Sequence, residues 1–290
     1  MTTGPANREQ AITDEVLAGF AETADPRLRE ILQSLISHLH TFARDVRLTE
    51  REWETAIDFL TRTGHITDAH RQEFILLSDV LGLSTLTVAI NEPRSPGATE
   101  ATVLGPFYVD DAPEFPLGGD IAAGAPGTPC YVSGQVTSAD GSPLGGVLLD
   151  VWGADEDGCY DVQYPGDRSA AGRARLRTGA DGAYRFWTVL PTPYPVPHDG
   201  PVGALLTAAS RGPMRPAHLH FKATAPGHRT LITHVFVAGD PHLDSDAVFG
   251  VRDSLVAEAE HHAAGPAPDG SEPQGAWSSM TFDLVLARLT

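Results

Sequence analysis

His218 and His220 stand two positions apart in Arg215-Pro216-Ala217-His218-Leu219-His220-Phe221. On a strand, alternate side chains share a face, so both imidazoles can point at one centre. Convergent imidazoles on a rigid element suit a metal ion, although the same pattern also occurs as plain structure or on a surface. The remaining ligands decide the class. A two-histidine, one-carboxylate iron centre needs an acid close by, and the strand continues Phe221-Lys222-Ala223-Thr224 without one. Cys130 and Cys159 are too few for a zinc–thiolate site or a disulfide framework. The other anionic option is phenolate. Tyr194 lies in Pro191-Thr192-Pro193-Tyr194-Pro195-Val196-Pro197, where the prolines stiffen the chain. Tyr160 ends Asp157-Gly158-Cys159-Tyr160. Taken singly, either tyrosine also reads as a hydrogen-bonded core or rim residue. Two phenolates with two imidazoles would make a hard, electron-rich set that favours a trivalent ion such as Fe(III).

Two kinds of element must position these groups. The first ninety or so residues read as helical. Asp25-Pro26 is an N-cap with proline at the first helical position. Leu28, Ile31, Leu32, Leu35, Leu39, Phe42 and Val46 follow at three-and-four spacing. Ile36 widens that stripe, which fits burial within the chain or an interface between chains. Thr49 to Glu52 is a capping box. Thr67-Asp68 is expected to open a further helix that stops at Gly82. Beyond Asn91 the period shifts toward two and Gly and Pro become frequent. Cys130–Val136 and Gly146–Trp152 read as a hairpin about Ala139–Pro143, and a second pair flanks Ala180–Gly182. Ala217–Ala223 and Thr230–Val237 are further strands, Ala247–His262 a late helix, and Gly265–Gly275 an exposed loop. Short strands at close spacing mean a β-sandwich or barrel. The expected fold is therefore mainly β, a β-sandwich over 96–290 after a helical part over 1–95.

Composition excludes several partners. The 290 residues carry 20 basic and 38 acidic side chains, a formal charge of −18. Lys222 is the only lysine. Nucleic acid and anionic membrane surfaces both need a positive footprint, so neither is expected. Met1–Gln10 lacks a basic-then-apolar leader pattern, and no run of about 18 apolar residues exists, so the expected compartment is the cytoplasm.

From about Leu28 to about Asp283 the chain resembles the intradiol ring-cleaving dioxygenases that act on free catechols. Thr102–Tyr108 is similar to the family's linker-and-pocket segment, and Asp150-Val151-Trp152 through Gly158-Cys159-Tyr160 to its first tyrosine segment. Tyr194 matches the second tyrosine, and Arg215–Phe221 the histidine signature. The resemblance implies Fe(III) held by Tyr160, Tyr194, His218 and His220. It implies that Tyr194 doubles as ligand and base and that Arg215 stabilises the electron-rich ring. It also implies a homodimer formed through the helical segment, with a phospholipid-like amphipath held in that interface. Three features resemble the branch that uses hydroxyquinol (benzene-1,2,4-triol) and O₂. These are Pro197–Gly203, the Asp244–Val251 segment, and His234 where catechol-cleaving members typically have glutamine. His234 would hydrogen-bond a reacting oxygen or orient a ligand. Asp79 matches a pocket acid for the third hydroxyl. Leu76, Val103, Gly105, Pro106, Phe107, Val196, Pro197 and Val248 would line the rest of the pocket.

The neighbouring catechol and chlorocatechol branches are the near alternatives. Two readings come from other classes. Gly134–Thr137 and Leu144–Val147 also resemble non-catalytic, transthyretin-like sandwich modules, and a zinc hydrolase could use His-x-His.

Overall fold

The computed structural model describes residues 5–68, 71–92, 95–164 and 170–289. The expectation of no leader in Met1–Gln10 falls partly outside them. The chain forms two compact units, Met1–Arg62 and Thr63–Thr290.

The first unit contains α1 (Pro5–Gly19), α2 (Pro26–Asp45) and most of α3 (Glu50–His65). The Asp25 carboxylate accepts the Arg27 and Leu28 N–H groups, so α2 starts where the cap and proline place it. Thr49 and Glu52 exchange hydrogen bonds at the start of α3. Leu28, Ile31, Leu35, Leu39, Phe42 and Val46 lie 46–55% exposed along α2. The stripe is therefore not buried within the helical unit itself.

The second unit opens with α4 (Glu73–Val80) and α5 (Leu83–Asn91). Thr67-Asp68 does not start a helix. Asp68 instead accepts the Arg71 N–H and closes a turn, so α4 begins only at Glu73. Gly82, at φ +73°, breaks the apolar run into two helices bent by 75°. Among the described residues, no single helix is long and apolar enough to cross a membrane.

The strands are β1 (Pro129–Ser138), β2 (Leu148–Gly153), β3 (Arg173–Arg177), β4 (Ala183–Val189), β5 (Tyr194–Pro195), β6 (Met214–Arg215), β7 (His218–Thr224), β8 (Leu231–Val237), β9 (Val256–Ala257), β10 (Ala259–His262), β11 (Trp277–Thr281) and β12 (Leu284–Leu286). One five-stranded sheet runs β10-β11-β1-β12, with β4 also on β1; the other runs β3-β2-β7-β8-β9. Tyr184 and Phe186 of the first meet Phe221 of the second at ring-centroid distances of 5.8 and 6.3 Å, so the core lies between them. The short β5–β6 ribbon and α6 (Pro201–Ala208) lie on the segment between β4 and β7.

The fold class is the expected one, a sandwich with a helical N-terminal part. The connections are not. β1 and β2 do not form a hairpin, because only Thr137 and Pro143 bridge across the turn. Gly146, at φ +73°, then turns the chain into the opposite sheet. Likewise β3 pairs with β2 while β4 pairs with β1. Ala247–His262 is not a helix. The Asp246 carboxylate takes the Val248 and Gly250 N–H groups, Phe249 adopts φ +57°, and β9 and β10 follow. A side chain that captures backbone donors competes directly with the helical ladder.

Candidate active site

β7 carries His218 and His220 on one face. In register with His220 stand Trp152 on β2 and His234 on β8. Trp152 stacks on the His220 ring, with centroids 4.5 Å apart and planes 16° apart. Tyr160 arrives from the loop after β2. There the Asp155 carboxylate accepts the Asp157 and Cys159 N–H groups at 3.1 Å. Gly158 lies at φ +73°, where a Cβ would come within 2.8 Å of the Tyr194 Cβ, so only glycine allows this approach. Tyr194 sits on β5 and pairs in register with Arg215 on β6.

Four polar atoms converge. Tyr160 Oη lies 3.2 Å from Tyr194 Oη, 2.9 Å from His220 Nε2 and 3.5 Å from His218 Nε2; the two Nε2 atoms are 3.2 Å apart. All four side chains are at least 95% buried. The His218 Nδ1–H donates to the Pro216 carbonyl at 2.7 Å, so its Nε2 turns a lone pair toward the cluster. Burial and the Arg215 charge push the His218 imidazole down to about 3. Burial drives His220 and His234 well below the usual histidine range, with neighbouring imidazoles and Arg215 adding to it. All three rings are therefore neutral, the form that binds metals. Burial, then Tyr194, raises the Tyr160 phenol well above its ordinary value.

These residues fit a metal ion. Two phenol oxygens and two imidazole nitrogens meet out of water, and a cation among them would reverse the Tyr160 preference toward phenolate. Donor atoms spaced 2.9–3.5 Å apart are close enough to be shared by one ion. His234 joins His218 and His220 within 4.8 Å. Its Nδ1 faces Arg215 Nη2 at 3.4 Å.

Arg215 reaches the cluster from the other side, with Nη1 3.2 Å from His218 Nε2. Its Nε donates to Asp246 at 3.0 Å in a buried ion pair. Burial works against the Arg215 charge, but Asp246 and the two tyrosines outweigh it, so the guanidinium stays protonated. Burial pushes the Asp246 carboxyl up, and Arg215 more than offsets this, leaving it below the usual carboxylate range.

A cavity of about 510 Å³ opens beside the cluster. Leu76, Asp79, Val103, Gly105, Pro106, Phe107, Val196, Pro197 and Val248 all line it, as do Tyr194 and Arg215. Tyr160, His218, His220 and His234 are not among its lining residues. Tyr108, the last residue of the Thr102–Tyr108 segment, also contributes to the wall, and so do Arg71, Glu73 and Val162, which carry no signal in their sequence spacing. Asp246 belongs to a segment already singled out, yet its partnership with Arg215 depends on a turn that no periodicity reveals.

Two family models match the chain: one described as catechol dioxygenase N terminus over residues 25–99, the other as dioxygenase over residues 103–288. The chain belongs to the intradiol ring-cleaving dioxygenases. It is 58% identical to hydroxyquinol 1,2-dioxygenase of Nocardioides simplex, over 97% of this chain and 96% of that protein. The structure of hydroxyquinol 1,2-dioxygenase from Pseudomonas putida DLL-E4 superposes with a TM-score of 0.91 at 43% identity, covering 97% of this chain and 99% of that one. Catechol 1,2-dioxygenase from Pseudomonas arvilla C-1 superposes at 0.82 with 29% identity, covering 97% and 92%. Membership of this enzyme family sets aside the non-catalytic sandwich module and the zinc hydrolase.

The Arg215–Asp246 pair generates a stability prediction for this intradiol dioxygenase. Asp246→Ala leaves a buried guanidinium unpaired and costs about 3–5 kcal/mol. Urea denaturation of the metal-free protein measures it, and an unchanged midpoint would contradict the pairing.

Proposed function

We propose that the chain cleaves hydroxyquinol between its two adjacent hydroxyl-bearing carbons, using O₂, at a ferric ion held by Tyr160, Tyr194, His218 and His220. Both oxygen atoms enter the product, a 3-hydroxy-cis,cis-muconate that tautomerises to maleylacetate. The observation that carries this is the meeting of two phenol oxygens and two imidazole nitrogens within 2.9–3.5 Å beside a largely apolar cavity. When bound, Fe(III) supplies a Lewis acid that draws electron density from the adjacent oxygens and makes the ring reactive toward O₂.

The chain's own groups divide the remaining work. Of the four ligands, only Tyr194 lines the cavity, so it is the one that meets an incoming hydroxyl and accepts its proton at Oη. Arg215 lines the same cavity and keeps its charge, so it stabilises an electron-rich ring. His234 faces Arg215 and acts on the reaction through it. Asp79 is buried at the cavity wall. Burial pushes its carboxyl up, countered by the Ser84 hydroxyl and by Arg215, and it takes the third hydroxyl of the substrate. The apolar wall from Leu76, Val103, Phe107, Val196 and Val248 excludes water from the ring.

The chain also pairs with a second copy through the helical segment within residues 1–95, with a phospholipid-like amphipath against the exposed row on α2. Six large apolar side chains, each 46–55% exposed along one helix, support this.

The iron-loaded protein is expected to be red from tyrosinate-to-iron charge transfer, and Tyr194→Phe shifts that band. By elemental analysis His218→Ala does not retain iron, whereas Arg215→Ala retains it and loses turnover about 100-fold or more. A colourless, iron-replete protein would contradict the ligand set. In an oxygen electrode one O₂ is consumed per hydroxyquinol and catechol reacts more slowly; faster catechol cleavage would move the chain to the catechol branch. Sedimentation is expected to give twice the 30.8 kDa chain mass, and Leu35→Glu to give the single chain; a wild-type monomer would refute the pairing.

A further inference from the structure

Lys222, the only lysine, follows His220 by two positions on the same face of β7. Its ammonium donates to Tyr108 Oη at 2.7 Å and lies 4.4 Å from the centre of that ring. Asp150 stands opposite it in register on β2. Tyr108 packs on Trp152 at a centroid distance of 5.1 Å, and Trp152 stacks on His220. The adjacent Phe107 stacks on Tyr160 at 4.5 Å and 26°. Gly105, at φ +77°, brings its backbone against His220, where a Cβ would lie 3.2 Å from Cε1.

The segment from Gly105 to Tyr108 thus rests on two rings of the four-residue cluster while forming one wall of the cavity. It belongs to no helix or strand, so no backbone ladder sets its distance from the opposite wall. We propose that Lys222 is a positioning residue for substrate binding. By fastening the Tyr108 hydroxyl it holds this wall against the ligand rings and sets the space left for the aromatic substrate. The inference rests on the cavity being the substrate site, as proposed above. A lysine is suited to this because its flexible stem lets the ammonium reach a hydroxyl beside its own strand.

The test uses the iron-loaded protein. Lys222→Met and Tyr108→Phe each remove the bond, and the second keeps the lysine beside Asp150. Each is expected to raise KM for hydroxyquinol at least fivefold, to move kcat less than twofold and to leave iron content unchanged. Anaerobic titration of the visible band with hydroxyquinol reads the same rise as a Kd, without turnover. The double variant is expected to be no worse than the worse single variant, because both break one contact. Lys222→Arg is expected to recover most of the affinity. A Kd within twofold of wild type in both single variants would overturn the assignment, as would single effects that multiply in the double variant. If the wild-type protein neither binds nor cleaves hydroxyquinol, the substrate assignment fails on its own. The same variants are then compared on the catechol that the wild type does bind, where an unchanged Kd overturns the role of Lys222.

Discussion

Burying two phenol oxygens and two imidazole nitrogens side by side is the constraint on which this active site depends, with Tyr160 Oη 2.9–3.5 Å from each of the other three. Much of the surrounding structure holds them there. The imidazoles come from one strand, which fixes their spacing through the pleat. The phenols come from loops, and loops need outside support. Gly158 lets one tyrosine loop close on the other. Trp152 and Phe107 press flat on the His220 and Tyr160 rings and limit their rotation. Ligands held by packing in this way are what a selective site requires.

The electrostatics follow from the same burial. A chain with formal charge −18 keeps a protonated arginine at its centre. The surface charge therefore does not describe the site. Asp246 neutralises Arg215 locally, so its charge is retained without being free to swing away, and the same carboxylate shapes the Val248–Gly250 turn that borders the cavity. Charge placement and wall shape share one residue.

The strand alternation of His218 and His220 was legible, as were the α2 cap and the two-layer β class, because each is a local pattern with a physical period. The tyrosines were legible as candidates, and the resemblance supplied the pairing. What stayed hidden depends on long-range geometry. Ala139–Pro143 reads as a hairpin turn, yet the chain crosses between sheets there, since a turn's chemistry does not say which strand receives its exit. Ala247–His262 reads as a late helix, and one carboxylate outcompetes it. Asp68 looked like a helix cap and closes a turn instead. Lys222 was visible as a count of one, but its partner lies 114 positions earlier in the chain.

The strand order carries a consequence for how the molecule is made. β1 is the first strand of the sandwich, yet it is flanked in parallel by β11 and β12, the last two, through pairs such as Cys130 with Ser278 and Val136 with Leu284. Pairings this distant give high contact order and slow folding, because the closure entropy of a long loop comes before any reward. On a ribosome, that sheet stays incomplete until translation has passed Leu286. The ligand-bearing sheet packs its inner face against it. Until then the strands that carry the histidines lack part of the surface their inner face packs against.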